Sequence, residues 1–111
     1  MTHKQVEDYL MALPDVRLDY PFGKDVAVYK VGPGEDAKMF ALVSEGKEPV
    51  QISLKCDPQL AVTLRERYES VMPGYHLNKK HWNTVVLTGQ LGWDEVCDLI
   101  GHSYDLVTGK A

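Results

Sequence analysis

Residues 73–85 read Pro-Gly-Tyr-His-Leu-Asn-Lys-Lys-His-Trp-Asn-Thr-Val, with two lysines, two histidines and no acid, in a chain of formal charge −4. These are residue types that meet a polyanion. Lys79 and Lys80 can neutralise phosphates, and His76 and His81 join them at lower pH. Asn78 and Asn83 can donate and accept at base edges, while Tyr75 or Trp82 can stack on a base. Trp82 also leads into a β-rich run, so it is expected to pack in or against the core rather than to stand out as a platform. His76 and His81 have no carboxylate or thiol near them in sequence, and a metal site there is not expected.

Other chemistries find weaker footing. Cys56, between Lys55 and Asp57, sits where a strand meets a helix start, a position that lowers a thiol pKa. No general base accompanies it, and cysteine is among the most buried residue types, so a small half-buried strand-end residue is the preferred reading. Gly32-Pro33-Gly34 precedes a strand rather than a helix, which makes it a hairpin loop and not a phosphate cradle. The chain has no G-x-S-x-G elbow, Walker loop or HExxH. No catalytic residue, metal or cofactor is assigned.

The elements that must position these residues follow from periodicity and punctuation. Thr2-x-x-Gln5 is a capping-box signal, and Val6, Tyr9, Leu10 and Leu13 repeat at helical spacing until Pro14. Residues 19–23 form an ordered turn at Pro21 and Gly23. Residues 26–31 and 38–43 are strands of a hairpin joined by 32–36. A third strand, 50–55, turns Val50, Ile52 and Leu54 to one face and Gln51, Ser53 and Lys55 to the other. Asp57-Pro58 starts a helix with Leu60, Ala61, Leu64 and Tyr68 inward and Arg65, Glu66 and Glu69 toward water. Residues 84–88 form a strand, and Trp93, Val96, Cys97, Ile100, Tyr104 and Val107 mark a helix stopped by Gly109. The order α-β-β-β-α-β-β-α, with one or two strands between the last helices, predicts a two-layer α+β domain: an antiparallel sheet covered by helices on one face.

At 111 residues the chain is read as a single domain, 1–111, with an ordinary soluble composition of 44% hydrophobic and 25% charged residues. It has neither a signal-peptide pattern nor an apolar run of membrane-spanning length, and a cytoplasmic location is expected. Cys56 and Cys97 stand far apart without a CxxC partner, which fits free thiols in a reducing compartment. Charge is unevenly spread: residues 1–49 are net −3, 50–82 net +2 and 83–111 net −3. Such a chain would meet a polyanion on one face only.

Segments along nearly the whole chain resemble the MmcQ/YjbR family of small bacterial proteins. They are Leu13-Pro14, Pro21-Phe22-Gly23, the strand 38–42, 52–58 (Ile-Ser-Leu-Lys-Cys-Asp-Pro), Pro73 to Lys79, His81 to Val85, and 103–107 (Ser-Tyr-Asp-Leu-Val). The resemblance implies a fold of the secretion-chaperone-like or double-wing kind and a DNA-binding role, and it supplies no catalytic residues. The leading expectation is a non-enzymatic, regulatory DNA-binding protein, weak and salt-sensitive on duplex. Lys55, Lys79 and Lys80 would meet phosphates, His76, Asn78 and His81 would add hydrogen bonds, and Arg65 and Arg67 would lie at the periphery. The alternative is a small-molecule or peptide-binding protein with a stress or drug-resistance role, using a groove between helices and sheet near Tyr20, Phe22 and Trp82. An enzyme using Cys56 comes third.

Overall fold

The computed structural model describes residues 1–110. Helix α1 (His3–Met11) starts where Thr2 Oγ1 accepts from the Gln5 N–H at 3.1 Å, and it buries Val6 and Leu10 completely. A left-handed Asp15 (φ 61°) turns the chain into β1 (Val16–Asp19), a strand that the sequence reading leaves out. The omission has a simple cause: four residues with two apolar side chains are too short a pattern to separate from a turn. β2 (Val26–Val31) and β3 (Lys38–Ser44) form the expected hairpin, with one 3-10 turn at Gly34–Asp36 in its loop. β4 (Gln51–Lys55) leads into α2 (Pro58–Arg67), followed by β5 (Val71–Pro73), β6 (Trp82–Val86) and α3 (Trp93–Thr108).

The six strands lie in the order β1-β2-β3-β4-β6-β5 with every neighbouring pair antiparallel. β6 begins two residues before the expected Thr84, because Trp82 and Asn83 pair with Lys55 and Leu54. β5 is an edge strand, the place where Pro73 can sit without breaking a ladder.

One face of the sheet carries the core. Tyr29, Ala41, Val43, Ile52, Leu54 and Val85 pack there against Val6 and Leu10 of α1 and Val96, Ile100 and Tyr104 of α3. Between Tyr29 and Lys30 the β2–β3 register shifts, so Phe40 is an extra residue on β3 and joins Ala41 on the helix side. Its ring meets Tyr104 edge-on at 5.4 Å.

That bulge has a polar consequence. The β3–β4 ladder pairs Val43 with Ile52, Leu42 with Ser53 and Ala41 with Leu54, so the next pair would be Phe40 with Lys55. Instead the Ser103 hydroxyl of α3 enters between them. It donates to the Phe40 carbonyl at 2.6 Å and accepts from the Lys55 N–H at 3.0 Å. A buried hydroxyl thus replaces a missing rung and ties helix to sheet.

At the start of α2 the Asp57 carboxylate accepts from Gln59 N–H at 3.1 Å and Leu60 N–H at 3.2 Å. Asp57→Ala is expected to lower stability by about 1 kcal/mol through loss of this N-cap. A urea midpoint indistinguishable from wild type would show that Pro58 alone sets the helix start.

Candidate functional site

The open face of the sheet, away from the helices, is where the acid-free window lies. Residues 74–81 fold back over it as a loop. Gly74 N–H bonds to Trp82 O at 2.9 Å, and a Cβ at position 74 would stand 2.7 Å from the Trp82 Cβ. Glycine is therefore required here for a close approach. Leu77 drops onto Trp82, Val28 and Leu42, which form a second small apolar cluster with Val26 and Met39. Trp82 is 7% exposed and packs as expected.

Much of the window's hydrogen-bonding capacity is spent on holding its own shape. Lys79 Nζ donates to Gly74 O at 3.0 Å. Asn78 Oδ1 accepts from the Lys80 N–H at 3.0 Å, an Asx-type turn, and Asn78 O accepts from His81 N–H. Asn83 is buried on the helix side, donating to Ala61 O and accepting from Arg65 Nε at 2.6 Å. Arg65, expected to face water or the rim of a DNA site, turns inward instead. Its guanidinium also donates to the Lys79 and Trp82 carbonyls and so latches the loop to α2. A guanidinium presents five donors in a rigid fork, and three clustered acceptors, the Asn83 amide oxygen and the Lys79 and Trp82 carbonyls, draw it in.

The six residues assigned to phosphate and hydrogen-bond contact divide into two groups. Lys55 pairs with Trp82 at the end of the sheet where the loop returns, and the exposed Lys80 and half-buried His81 stand at that same end. His76 lies elsewhere. Its ring lies against that of Tyr75, tilted by 53° with centroids 4.0 Å apart; it adopts a left-handed φ of 57° and lines a groove on the open face.

That groove has a volume of about 710 Å³. Its floor is Val26 of β2, Leu42 and Ser44 of β3, Gln51 and Ser53 of β4, and Thr84 of β6. One wall is made by Phe22, Asp25, Glu45 and Lys47, the other by Tyr75, His76 and Leu77. Phe22 is 65% exposed and Tyr75 73%, so two large aromatic faces border it in water. The sequence reading places a groove near Tyr20, Phe22 and Trp82 but between helices and sheet, and in this it is corrected. Core side chains fill the helix–sheet space, while Trp82 lies beneath Leu77 and Tyr20 is held by its hydroxyl to Glu45 at 3.2 Å. Gln51, Ser53 and Thr84 were missed as site residues. The alternation along 50–55 does show which face Gln51 and Ser53 share, but nothing in it shows that loops would wall that face in.

Charge supports the same division of faces. The three helices hold three basic and seven acidic side chains, net −4, which is the entire formal charge; all other residues carry nine of each. The sheet-and-loop layer is therefore electrically balanced, not cationic. Cys56 is buried, and burial, followed by the neighbouring Asp57, pushes its thiol up to about 11. It is a neutral thiol at pH 7 and a poor nucleophile, despite its place beside a helix start.

Comparison with known proteins agrees along the length of the chain. The YjbR family model matches residues 11–106. YbdF of Escherichia coli O157:H7 is 38% identical over 105 residues, covering 95% of this chain and 83% of that protein. YjbR of Escherichia coli K12 is 36% identical over 104 residues, 94% of this chain and 85% of that one. A crystal structure of the Deinococcus radiodurans protein DR2400 superposes with a TM-score of 0.93 at 38% identity, covering 98% of this chain and 80% of that one. A Pseudomonas syringae protein superposes with a TM-score of 0.81 at 34% identity, covering 96% and 99%. With the family model spanning most of its residues and relatives above 30% identity covering nearly all of it, the chain belongs to the YjbR family.

Proposed function

We propose that this protein is a non-enzymatic, cytoplasmic binding protein whose site is the groove on the open face of the sheet. The observation that carries the reading is the pairing of a walled cavity of about 710 Å³ with two exposed aromatic rims, Phe22 and Tyr75. Cavities of roughly 300–1,000 Å³ with apolar walls and a few placed polar groups are the usual small-ligand sites. The raised Cys56 thiol speaks against covalent chemistry at the other candidate centre, and two free cysteines fit a reducing compartment. No helix among the described residues is long and apolar enough to cross a membrane.

The test is a panel of small planar, aliphatic and peptide fragments titrated into isotope-labelled protein, with backbone amide shifts as readout. Shifts concentrated at Phe22, Gln51, Ser53, Tyr75 and Thr84 are expected, and Phe22→Ala with Tyr75→Ala should erase them while leaving the fold intact, since both rings stand in water. Shifts confined to the helix face, or none, would remove the groove as the site.

Duplex DNA is the second reading, favoured by Lys55, Lys80 and His81 standing at one end of the sheet on the layer without net negative charge. Binding should then be non-specific, roughly 10⁻⁴–10⁻⁶ M at physiological salt. Replacing Lys55 and Lys80 with alanine should flatten the log affinity versus log salt line by up to about 1.8, at about 0.9 per phosphate contact. Wild-type protein that fails to bind a labelled duplex at low salt, or a double mutant with the full slope, rules out this surface for DNA.

A further inference from the structure

Resting on the groove reading above, we infer that the ligand is a fused planar heteroaromatic of two or three rings. It carries an amide- or imide-type donor–acceptor edge and bears no phosphate. Length comes first. The floor crosses β2, β3, β4 and β6, three inter-strand steps, or about 14 Å at the usual strand spacing. That exceeds a single ring and suits a fused system.

The floor is mixed in polarity: Val26, Leu42 and Ser44 lie under β2 and β3, and Gln51, Ser53 and Thr84 under β4 and β6. The β4–β6 side has hydrogen-bonding capacity to spare. Ser53 Oγ and Thr84 Oγ1 are 2.8 Å apart, and Thr84 Oγ1 also accepts from the Tyr75 N–H at 3.2 Å. Whichever hydroxyl donates to the other, one O–H hydrogen of the pair is left over, along with lone pairs on Ser53. Gln51 adds an amide, which is both donor and acceptor. A ligand edge with a neighbouring N–H and C=O matches that set, and a purely hydrocarbon ring would leave it unpaired.

The walls supply the stacking faces. Phe22 and Tyr75 reach the groove from different loops, and aromatic rings stack on planar heterocycles whatever the ring's identity. Electrostatics disfavours a polyanion. The walls carry two carboxylates, Asp25 and Glu45, against one lysine, Lys47, so a phosphate would meet no net positive charge.

Riboflavin is a suitable probe, being an uncharged tricycle with a dimethylated benzenoid end and an imide edge. Its fluorescence should be quenched on titration with the protein, with amide shifts at Gln51, Ser53 and Thr84. Phe22→Ala and Tyr75→Ala should each weaken it about tenfold, and Ser53→Ala about fivefold. Riboflavin 5′-phosphate should bind about fivefold or more weakly than riboflavin, because the added charge finds no cationic counterpart. Equal or tighter binding of the phosphate overturns the inference, as does a Ser53→Ala variant with unchanged affinity. If aliphatic or peptide fragments shift the groove amides and riboflavin does not, the heteroaromatic assignment falls and the groove stands. Silence from every probe removes both.

Discussion

Trp82→Ala is expected to lower stability by about 3–5 kcal/mol, the range for emptying a large buried aromatic site. Trp82 is 7% exposed and forms the centre of the smaller apolar cluster with Val28 and Leu42, on the sheet face that the helices do not cover. Its removal takes away the seat of Leu77, and with it the docking of residues 74–81 over the sheet. For a domain of this size, with a urea m-value of about 1–2 kcal/mol per molar, the midpoint should fall by roughly 2 M or more. The loss should also reach the groove, because Leu77, Tyr75 and His76 form one of its walls. A variant with near-native stability would mean that the ring contributes little packing and that the loop is held by Arg65 and the Gly74–Trp82 backbone bond alone.

Ser103→Ala is expected to cost about 2–4 kcal/mol, far more than a serine in a helix ordinarily carries. Alanine is the better helix former by roughly half a kcal/mol, so propensity alone predicts a slight gain. The loss arises elsewhere: the Phe40 carbonyl and the Lys55 N–H would both be left without their partner, in a site where Ser103 is 0% exposed. Each unsatisfied buried group costs about 1–3 kcal/mol. At roughly 4–8 °C per kcal/mol for a domain near this size, the melting temperature should drop by about 8–30 °C. Hydrogen exchange supplies a local readout, since the Lys55 amide should lose protection ahead of its neighbours Ile52 and Leu54. A change within about 0.5 kcal/mol, the range of an indifferent surface substitution, would show that the rung is dispensable.

The two effects act on opposite faces of one sheet, and they mark different degrees of legibility. The burial of Trp82 could be anticipated from its type and its place before a β-rich run. The role of Ser103 could not, because it depends on one extra residue at Phe40, and a bulge leaves no periodic trace in a sequence. Arg65 makes the same point in reverse. Its position on α2 relative to Leu60, Ala61 and Leu64 assigns it to water, yet the carbonyls of Lys79 and Trp82 and the buried amide of Asn83 draw it inward.

By itself the sequence determined the class of fold and most of its elements, because period, caps and breakers act locally. Thr2, Asp57 and Gly109 each terminate a helix through groups within a few residues of themselves. It also carried the family, through residue types in a particular order along nearly the whole chain. Tertiary structure alone decided which side chains remained free to meet a ligand. Lys79, Asn78, Asn83 and Arg65 all have the types for recognition and are largely occupied in holding a loop. Phe22, Ser53, Tyr75 and Thr84, from three separate parts of the chain, meet around one cavity. The physical reason is that hydrogen-bond satisfaction and cavity walls are long-range properties: a donor's availability depends on what the fold brings against it, and no spacing along the chain encodes that.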